Sequence, residues 1–270
     1  MSTLPAPSTT ASALARLPET PEVCALAQTP HEATALALLH AAAALAPAVF
    51  STSFGAEDMV LLDLIRRHSL AIGIFTLDTG RLPEETYALM QVVHERYGAC
   101  VQTLYPQAQA VQDLVDRNGI NGFYASVEQR KACCAVRKVA PLARGLAGQR
   151  AWVTGLRAQQ SVTRTALAAQ EFDATHQIQK FNPLHDWSEA QVWEYLRSRG
   201  VPYNVLHDRF YPSIGCAPCT RAISPGEDLR AGRWWWENPE GRECGLHPVN
   251  EGRALAPTSQ ARTIRIKEAS

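Results

Sequence analysis

Apolar residues recur along this chain in two alternating rhythms. An Ala/Leu-rich stretch over residues 31–45, broken by Pro47, predicts a helix packed through its leucine face. The apolar run at 48–50 predicts a strand leading into a polar turn, Ser51-Thr-Ser-Phe-Gly-Ala-Glu-Asp58, and the amphipathic stretch 59–68 predicts the next helix. Residues 70–76 read as a second strand, 83–97 as a helix with Pro83 near its first turn, and 100–104 as a third strand. Strands alternating with helices predict an α/β fold built on a parallel, doubly wound sheet.

The pattern then loosens. Residues 128–144 read as helical despite Pro141, 151–154 as a buried strand, and 166–172 and 176–181 as a hairpin. Asp186 opens a further stretch with apolar residues at helical spacing. Periodicity fades after Pro202, and from Gly215 onward Gly and Pro recur around one dense apolar cluster, Trp234-Trp-Trp236. That segment predicts loops and a mobile C-terminal tail anchored by the tryptophans. The implied organisation is a disordered leader (1–30), an α/β domain (31–214) and a C-terminal segment (215–270).

With 46% hydrophobic residues in 270, the chain can bury one sizeable core. Lys plus Arg equals Asp plus Glu at 26 each, so no overall field favours nucleic acid or a membrane surface. Apolar runs are interrupted well short of a membrane span, for example by Glu57, Asp58 and Asp63. The N-terminus lacks a basic start followed by an apolar run, which predicts a cytoplasmic protein. Glu57 and Asp63 read as surface charges of their helix, Trp187 and Trp193 as helix packing, and His185 and His207 as loop or core histidines.

Chemistry concentrates in the cysteines. Five of seven form a tandem pair, Cys133-Cys134, a Cys216-Ala-Pro-Cys219 pair, and Cys244 near the C-terminus; Cys24 and Cys100 read as buried filler. Four thiolates could hold a metal centre and leave one to react. Cys-x-x-Cys alone fits zinc, redox and iron–sulfur sites, whereas adjacent cysteines are awkward for one zinc ion and workable for a cluster with separate iron corners. A second candidate site lies at the strand ends. Ser51, Ser53 and the amides around Gly55 offer donors at a helix N-terminus, and the turn Leu77-Asp78-Thr79-Gly80 is placed beside them.

Taken in order, residues 51–58, Leu77-Asp-Thr-Gly-Arg-Leu-Pro-Glu-Glu-Thr86, Lys131-Ala-Cys-Cys-Ala-Val-Arg-Lys138, Gly155-Leu-Arg157, Cys216-Ala-Pro-Cys219 and Glu243-Cys-Gly-Leu-His247 closely resemble the assimilatory adenylyl-sulfate (APS) reductases of the PAPS/APS reductase family. The resemblance spans about residues 48 to 247. It implies an adenine-nucleotide alpha-hydrolase-like fold, also described as ATP-pyrophosphatase-like or Rossmann-like. It implies reduction of adenosine 5′-phosphosulfate to sulfite and AMP, with thioredoxin or glutaredoxin as reductant. It further implies one [4Fe-4S] cluster on Cys133, Cys134, Cys216 and Cys219, with Cys244 as nucleophile. Lys138, Arg230, Arg233 and His247 match family positions that bind the phosphosulfate, and Arg157 resembles another substrate position. Lys138, four residues after Cys134, is expected on the same helical face as that thiol, and Arg230 and Arg233, three apart, on one helical face as a clamp. Arg242 and His247 flank Cys244 and would favour its thiolate. The family's tendency toward symmetric assemblies allows a homo-oligomer.

The chain departs from ATP-splitting relatives by lacking Gly-Gly and Lys in its first loop, which fits an enzyme that only holds an adenylate. Two alternatives stay open: the sister reaction on 3′-phosphoadenylyl sulfate (PAPS), and a non-catalytic iron–sulfur nucleotide sensor that would not need Cys244.

Overall fold

A computed structural model describes residues 28–160 and 167–237. Six strands form one sheet in the order β3-β2-β1-β4-β6-β5. They are β1 (Ala48–Thr52), β2 (Ile72–Leu77), β3 (Val101–Leu104), β4 (Ala151–Val153), β5 (Gln170–Asp173) and β6 (Ile178–Phe181). All neighbours are parallel except β5, which runs antiparallel to β6 as the first arm of the expected hairpin.

The helices are α1 (Pro30–Ala44), α2 (Ala56–Arg67), α3 (Glu84–Tyr97), α4 (Ala108–Asn118), α5 (Val127–Cys134), α6 (Ala140–Leu146) and α7 (Glu189–Ser198). Capping boxes start two of them: Thr29 with Glu32 at α1, and Ser188 with Gln191 at α7. Helix α4 has no counterpart in the sequence reading. Its signal was Val111, Leu114 and Val115 at helical spacing, stopped by Gly119, but only Leu114 is buried. Between α5 and α6 the helix continues as a π-turn over Ala135–Val139. Pro141 then falls in the first turn of α6, where a missing N–H costs little.

Strand alternation divides the core. Ala48 and Phe50 of β1, Ile72 and Ile74 of β2, and Ala151 and Val153 of β4 face a large cluster with α1, α2 and α7. Val49, Phe75 and Trp152 face the opposite layer with Leu142 and Leu146 of α6. Both faces are therefore covered, as parallel strands require.

Helix α2 corrects one expectation. It is central, with nine of its twelve residues buried, so Asp63 is no surface charge. Asp63 accepts hydrogen bonds from Tyr97 of α3 (2.9 Å) and Tyr195 of α7 (2.7 Å) and pairs with Arg67 at 2.6 Å. A helix packed on several sides must find partners for its polar groups inside the protein. Glu57 is likewise engaged, with Arg157 at 2.7 Å.

The order places β1 between β2 and β4, so the chain leaves β1 toward one side of the sheet and later returns on the other. The carboxyl ends of β1, β2 and β4 flank this switch point, where an open α/β sheet forms a crevice. Among the described residues no helix is long and apolar enough to cross a membrane.

Candidate active site

A cavity of about 570 Å³ occupies the switch point, lined from β1 and the turn after it by Ser51, Ser53 and Gly55, from the end of β2 and its turn by Leu77 and Thr79, and from the β4 turn by Gly155 and Arg157. Asp58 organises the first of these turns. Its Oδ2 accepts the Ser53 backbone N–H (2.5 Å) and the Ser53 hydroxyl (2.8 Å). Burial pushes the Asp58 carboxyl up to about 6, against the pull of those Ser53 hydrogen bonds. A Cβ on Gly155 would collide with Asp58 Oδ1, so glycine is required for the β4 turn to pass this carboxylate. Ser51 accepts the Trp152 indole N–H at 2.8 Å and retains a hydroxyl proton to donate.

Asp78 and Thr79 divide their roles. Asp78 is buried and shapes its turn by accepting the Gly80 N–H and the Tyr87 hydroxyl, both at 2.8 Å, and it does not line the cavity. Thr79 lines the cavity and sits 3.3 Å from Cys216 Sγ. Arg157 is buried, paired with Glu57 and donating to the Trp187 carbonyl at 3.3 Å.

Cations gather at the other end. Lys138 and Arg230 line the main cavity, and Lys138 also lines a second, smaller one with Arg81, Arg130, Arg137 and Arg233. The expected helical clamp of Arg230 and Arg233 is not formed, because the segment is a run of turns in which the Arg233 N–H bonds the Arg230 carbonyl at 2.9 Å. Arg230 faces the main cavity, while Arg233 is buried beside the cysteines, 4.8 Å over the Trp234 ring and so close to Gly215 that no side chain fits there. Lys138, expected on the face of Cys134, lines the second cavity together with that thiol. It lies within the π-turn, and its charge acts on Cys216 and Cys219.

Cys133, Cys134, Cys216 and Cys219 all line the second cavity, and none of the described cysteines is in a disulfide. The tandem pair sits at the end of α5, while Cys216 and Cys219 bracket a short 3₁₀ turn, Ala217–Cys219. The Ala217 N–H bonds the Arg81 carbonyl at 2.8 Å, fixing that turn beside the end of β2. Phe123 and Trp234 complete an apolar wall. Burial raises the Cys216 thiol, but Lys138, the Thr79 hydrogen bond, Arg233 and Arg137 outweigh it and bring the pKa below its ordinary value. Burial and the neighbouring Cys216 push Cys219 up to about 12. Burial also raises Cys133.

Four thiols lining one small pocket among cations have the donor chemistry of an iron–sulfur cluster site. Among the described residues no group of three or more Cys, His, Asp or Glu side chains converges as on one metal ion. Separate iron corners do not need that convergence.

Cys244, His247, Arg242 and Cys24 lie outside the described residues. The structure also adds residues that sequence reasoning left unassigned. Arg137, within the quoted Lys131 to Lys138 motif, is buried and donates to the Thr79 carbonyl at 2.7 Å, tying the π-turn to the β2 turn. Asp58, Trp152 and His207 also line the main cavity.

A mainly parallel sheet with a nucleotide-sized cavity at its switch point defines an α/β nucleotide-binding protein of the adenine-nucleotide alpha-hydrolase type. The sequence profile of the phosphoadenosine phosphosulfate reductase domain matches residues 47–222, and the chain belongs to that family. It is 63% identical over 199 residues to the adenosine 5′-phosphosulfate reductase of Allochromatium vinosum, covering 74% of this chain and 78% of the relative. The corresponding Burkholderia cepacia protein is 56% identical over 198 residues, covering 73% and 79%. Among solved structures, a phosphoadenylyl-sulfate (PAPS) reductase from Candida auris in a phosphate complex superposes with a TM-score of 0.60 at 27% identity, covering 70% of this chain and 90% of that one.

Proposed function

We propose that this protein is an adenylyl-sulfate reductase of assimilatory sulfate reduction: it converts adenosine 5′-phosphosulfate to sulfite and AMP, in the cytoplasm, with thioredoxin as electron donor. The observation that carries this reading is Lys138, which lines both the nucleotide-sized cavity and the four-cysteine pocket. The phosphosulfate is an anion, and an attacking thiolate is repelled unless fixed cations stand beside it. Lys138 and Arg230 supply them, while Ser51, Ser53, the Gly55 amide and the turn at Leu77 and Thr79 hold the adenylate.

Cys244 is the nucleophile. Its thiolate attacks the sulfate sulfur, the S–O bond to phosphate breaks, and AMP leaves with that bonding pair, giving an S-sulfocysteine. One thioredoxin thiolate then attacks the Cys244 sulfur, sulfite departs with the S–S bonding electrons, and the second thioredoxin thiol resolves the mixed disulfide. The two electrons come from the thioredoxin dithiol. His247 adds a cation near the sulfate.

Cys133, Cys134, Cys216 and Cys219 would hold one [4Fe-4S] cluster. When bound, it supplies a fixed negative charge that orients the surrounding cations. Four cysteines at the family's cluster positions favour APS over PAPS as substrate, and Cys244 disfavours a purely sensory role.

The test is mass spectrometry of anaerobically purified protein mixed with APS and no thioredoxin. A sulfonate on the Cys244 peptide is expected, discharged as sulfite by reduced thioredoxin and absent in Cys244→Ser. Turnover persisting in Cys244→Ser would overturn the mechanism.

A further inference from the structure

Residues Pro212 to Gly215 line the nucleotide-sized cavity, and the next residue, Cys216, lines the cysteine pocket. This short segment is therefore, with Lys138, part of the partition between the two chambers. It is pinned on both sides. Before it, the Tyr211 N–H donates to the Leu206 carbonyl at 3.1 Å and the Ile223 N–H to the Phe210 carbonyl at 2.9 Å. After it, the Gly215 N–H donates to Thr220 Oγ1 at 3.1 Å and the Ala217 N–H to the Arg81 carbonyl at 2.8 Å.

Between those anchors the donors are unused. The N–H groups of Ser213 and Ile214 and the Ser213 hydroxyl have no hydrogen-bond partner among the described residues. Ser213 is half-buried, but its hydroxyl oxygen is not sealed in by the described residues, so a molecule in the cavity can reach it. Backbone donors taken out of bulk water need acceptors, and these neighbouring groups, held in a pinned segment, offer themselves to one that carries several oxygens. The charges set its sign. Lys138 and Arg230 line the same cavity, and the Arg233 guanidinium lies against Gly215. Successive amides and a hydroxyl beside fixed cations select an anion.

We infer that Ser213 is a further substrate-binding residue: its hydroxyl, with the Ser213 and Ile214 N–H groups, donates to oxygens of the phosphosulfate and holds that group at the partition, beside Lys138. This inference rests on the adenylate reading of the cavity and adds directional contacts to its cations. A cation attracts an anion from any side, whereas a hydrogen bond fixes where the oxygen sits. Attack of a thiolate on sulfur needs that orientation. When the S–O bond breaks, the bonding pair stays on the AMP oxygen, and donors already aimed at the phosphosulfate oxygens meet the growing charge without moving.

The experiment is calorimetric titration of full-length, cluster-loaded Cys244→Ser protein, which holds APS without consuming it, with APS and with adenosine. Adding Ser213→Ala should weaken APS by about tenfold, the size of one hydrogen bond to a charged group, and leave adenosine, which lacks the phosphosulfate, unchanged. The urea midpoint and the visible absorption should not move, because this hydroxyl bonds nothing among the described residues. Ser213→Thr, which keeps the hydroxyl, should recover APS binding to within about threefold. Unchanged APS affinity in Ser213→Ala, an equal loss for adenosine, or a loss of stability would overturn the inference while leaving the adenylate reading intact. Threonine as weak as alanine would do the same, since space and not the hydroxyl would then set the affinity. If the Cys244→Ser protein itself binds neither APS nor adenosine, the adenylate reading fails.

Discussion

Arg130 and Glu237, 107 positions apart in sequence, form a buried ion pair: Arg130 Nε donates to Glu237 Oε1 at 2.6 Å, with side chains 0% and 3% exposed. The guanidinium also stacks 4.5 Å over Trp234 and acts electrostatically on Cys134. The pair thus fastens the last described residues of the chain onto α5 beside the tandem cysteines. Replacing Glu237 by Ala leaves a buried cation with one partner fewer, and stability should fall by about 3–5 kcal/mol. Urea denaturation checks this, and a loss below about 1 kcal/mol would show that the pair is not clamped as described.

Iron content separates the cysteines. Cys133→Ser, Cys134→Ser, Cys216→Ser and Cys219→Ser should each lose bound iron and its visible absorption, whereas Cys244→Ser should keep both. Anaerobic purification with iron assay and absorption spectra reads the outcome. Loss of colour in Cys244→Ser would instead make that residue a ligand.

Gly155→Ala should damage nucleotide binding more than the fold. The added methyl meets Asp58 Oδ1, and displacing this carboxylate releases the Ser53 N–H and hydroxyl that it holds. Overpacking of this kind costs about 1–3 kcal/mol. The KM for APS should rise by at least tenfold while the far-ultraviolet circular dichroism stays unchanged; an unaltered KM would detach Asp58 from the binding turn.

Asp58 also gives a signed pH effect. Its carboxyl is raised from 3.8 to about 6 in the folded protein, so between those values the native state binds more protons than the unfolded chain. Stability attributable to Asp58 is therefore greatest below about pH 4 and declines as pH rises to about 6, by no more than about 3 kcal/mol. Measured against Asp58→Asn in paired urea titrations, the unmodified protein should lose ground across that window and run parallel above it. Parallel curves throughout would contradict the shift.

The strands and most helices were legible because burial of both sheet faces imposes apolar runs, as at Ala48 to Phe50 and Ala151 to Val153. Helix α4 escaped because one buried residue leaves little periodicity to read. In the site, cysteine spacing and the polar turns after β1 and β2 were visible along the sequence. The separation of Arg230 from Arg233 was not, since a three-residue interval means one face only on a helix and the chain there is a series of turns. Asp63 misled for a related reason: a charge among apolar residues looks solvent-facing until the tyrosines of α3 and α7 are placed against it.

The π-turn at Ala135–Val139 makes one helical rod sensitive to the loss of a single residue. It amounts to one extra residue accommodated in an otherwise α-helical course. Deleting Ala135 or Val136 would remove that extra residue and let the rod relax to uniform α geometry, with α6 keeping its place relative to Cys133 and Cys134 but Arg137 and Lys138 losing the widened turn that aims them. Lys138 would then point away from one of the two chambers it now serves, and Arg137 would let go of the β2 turn. A shortened rod would be straighter, and the nucleotide chamber would be disconnected from the sulfur chamber.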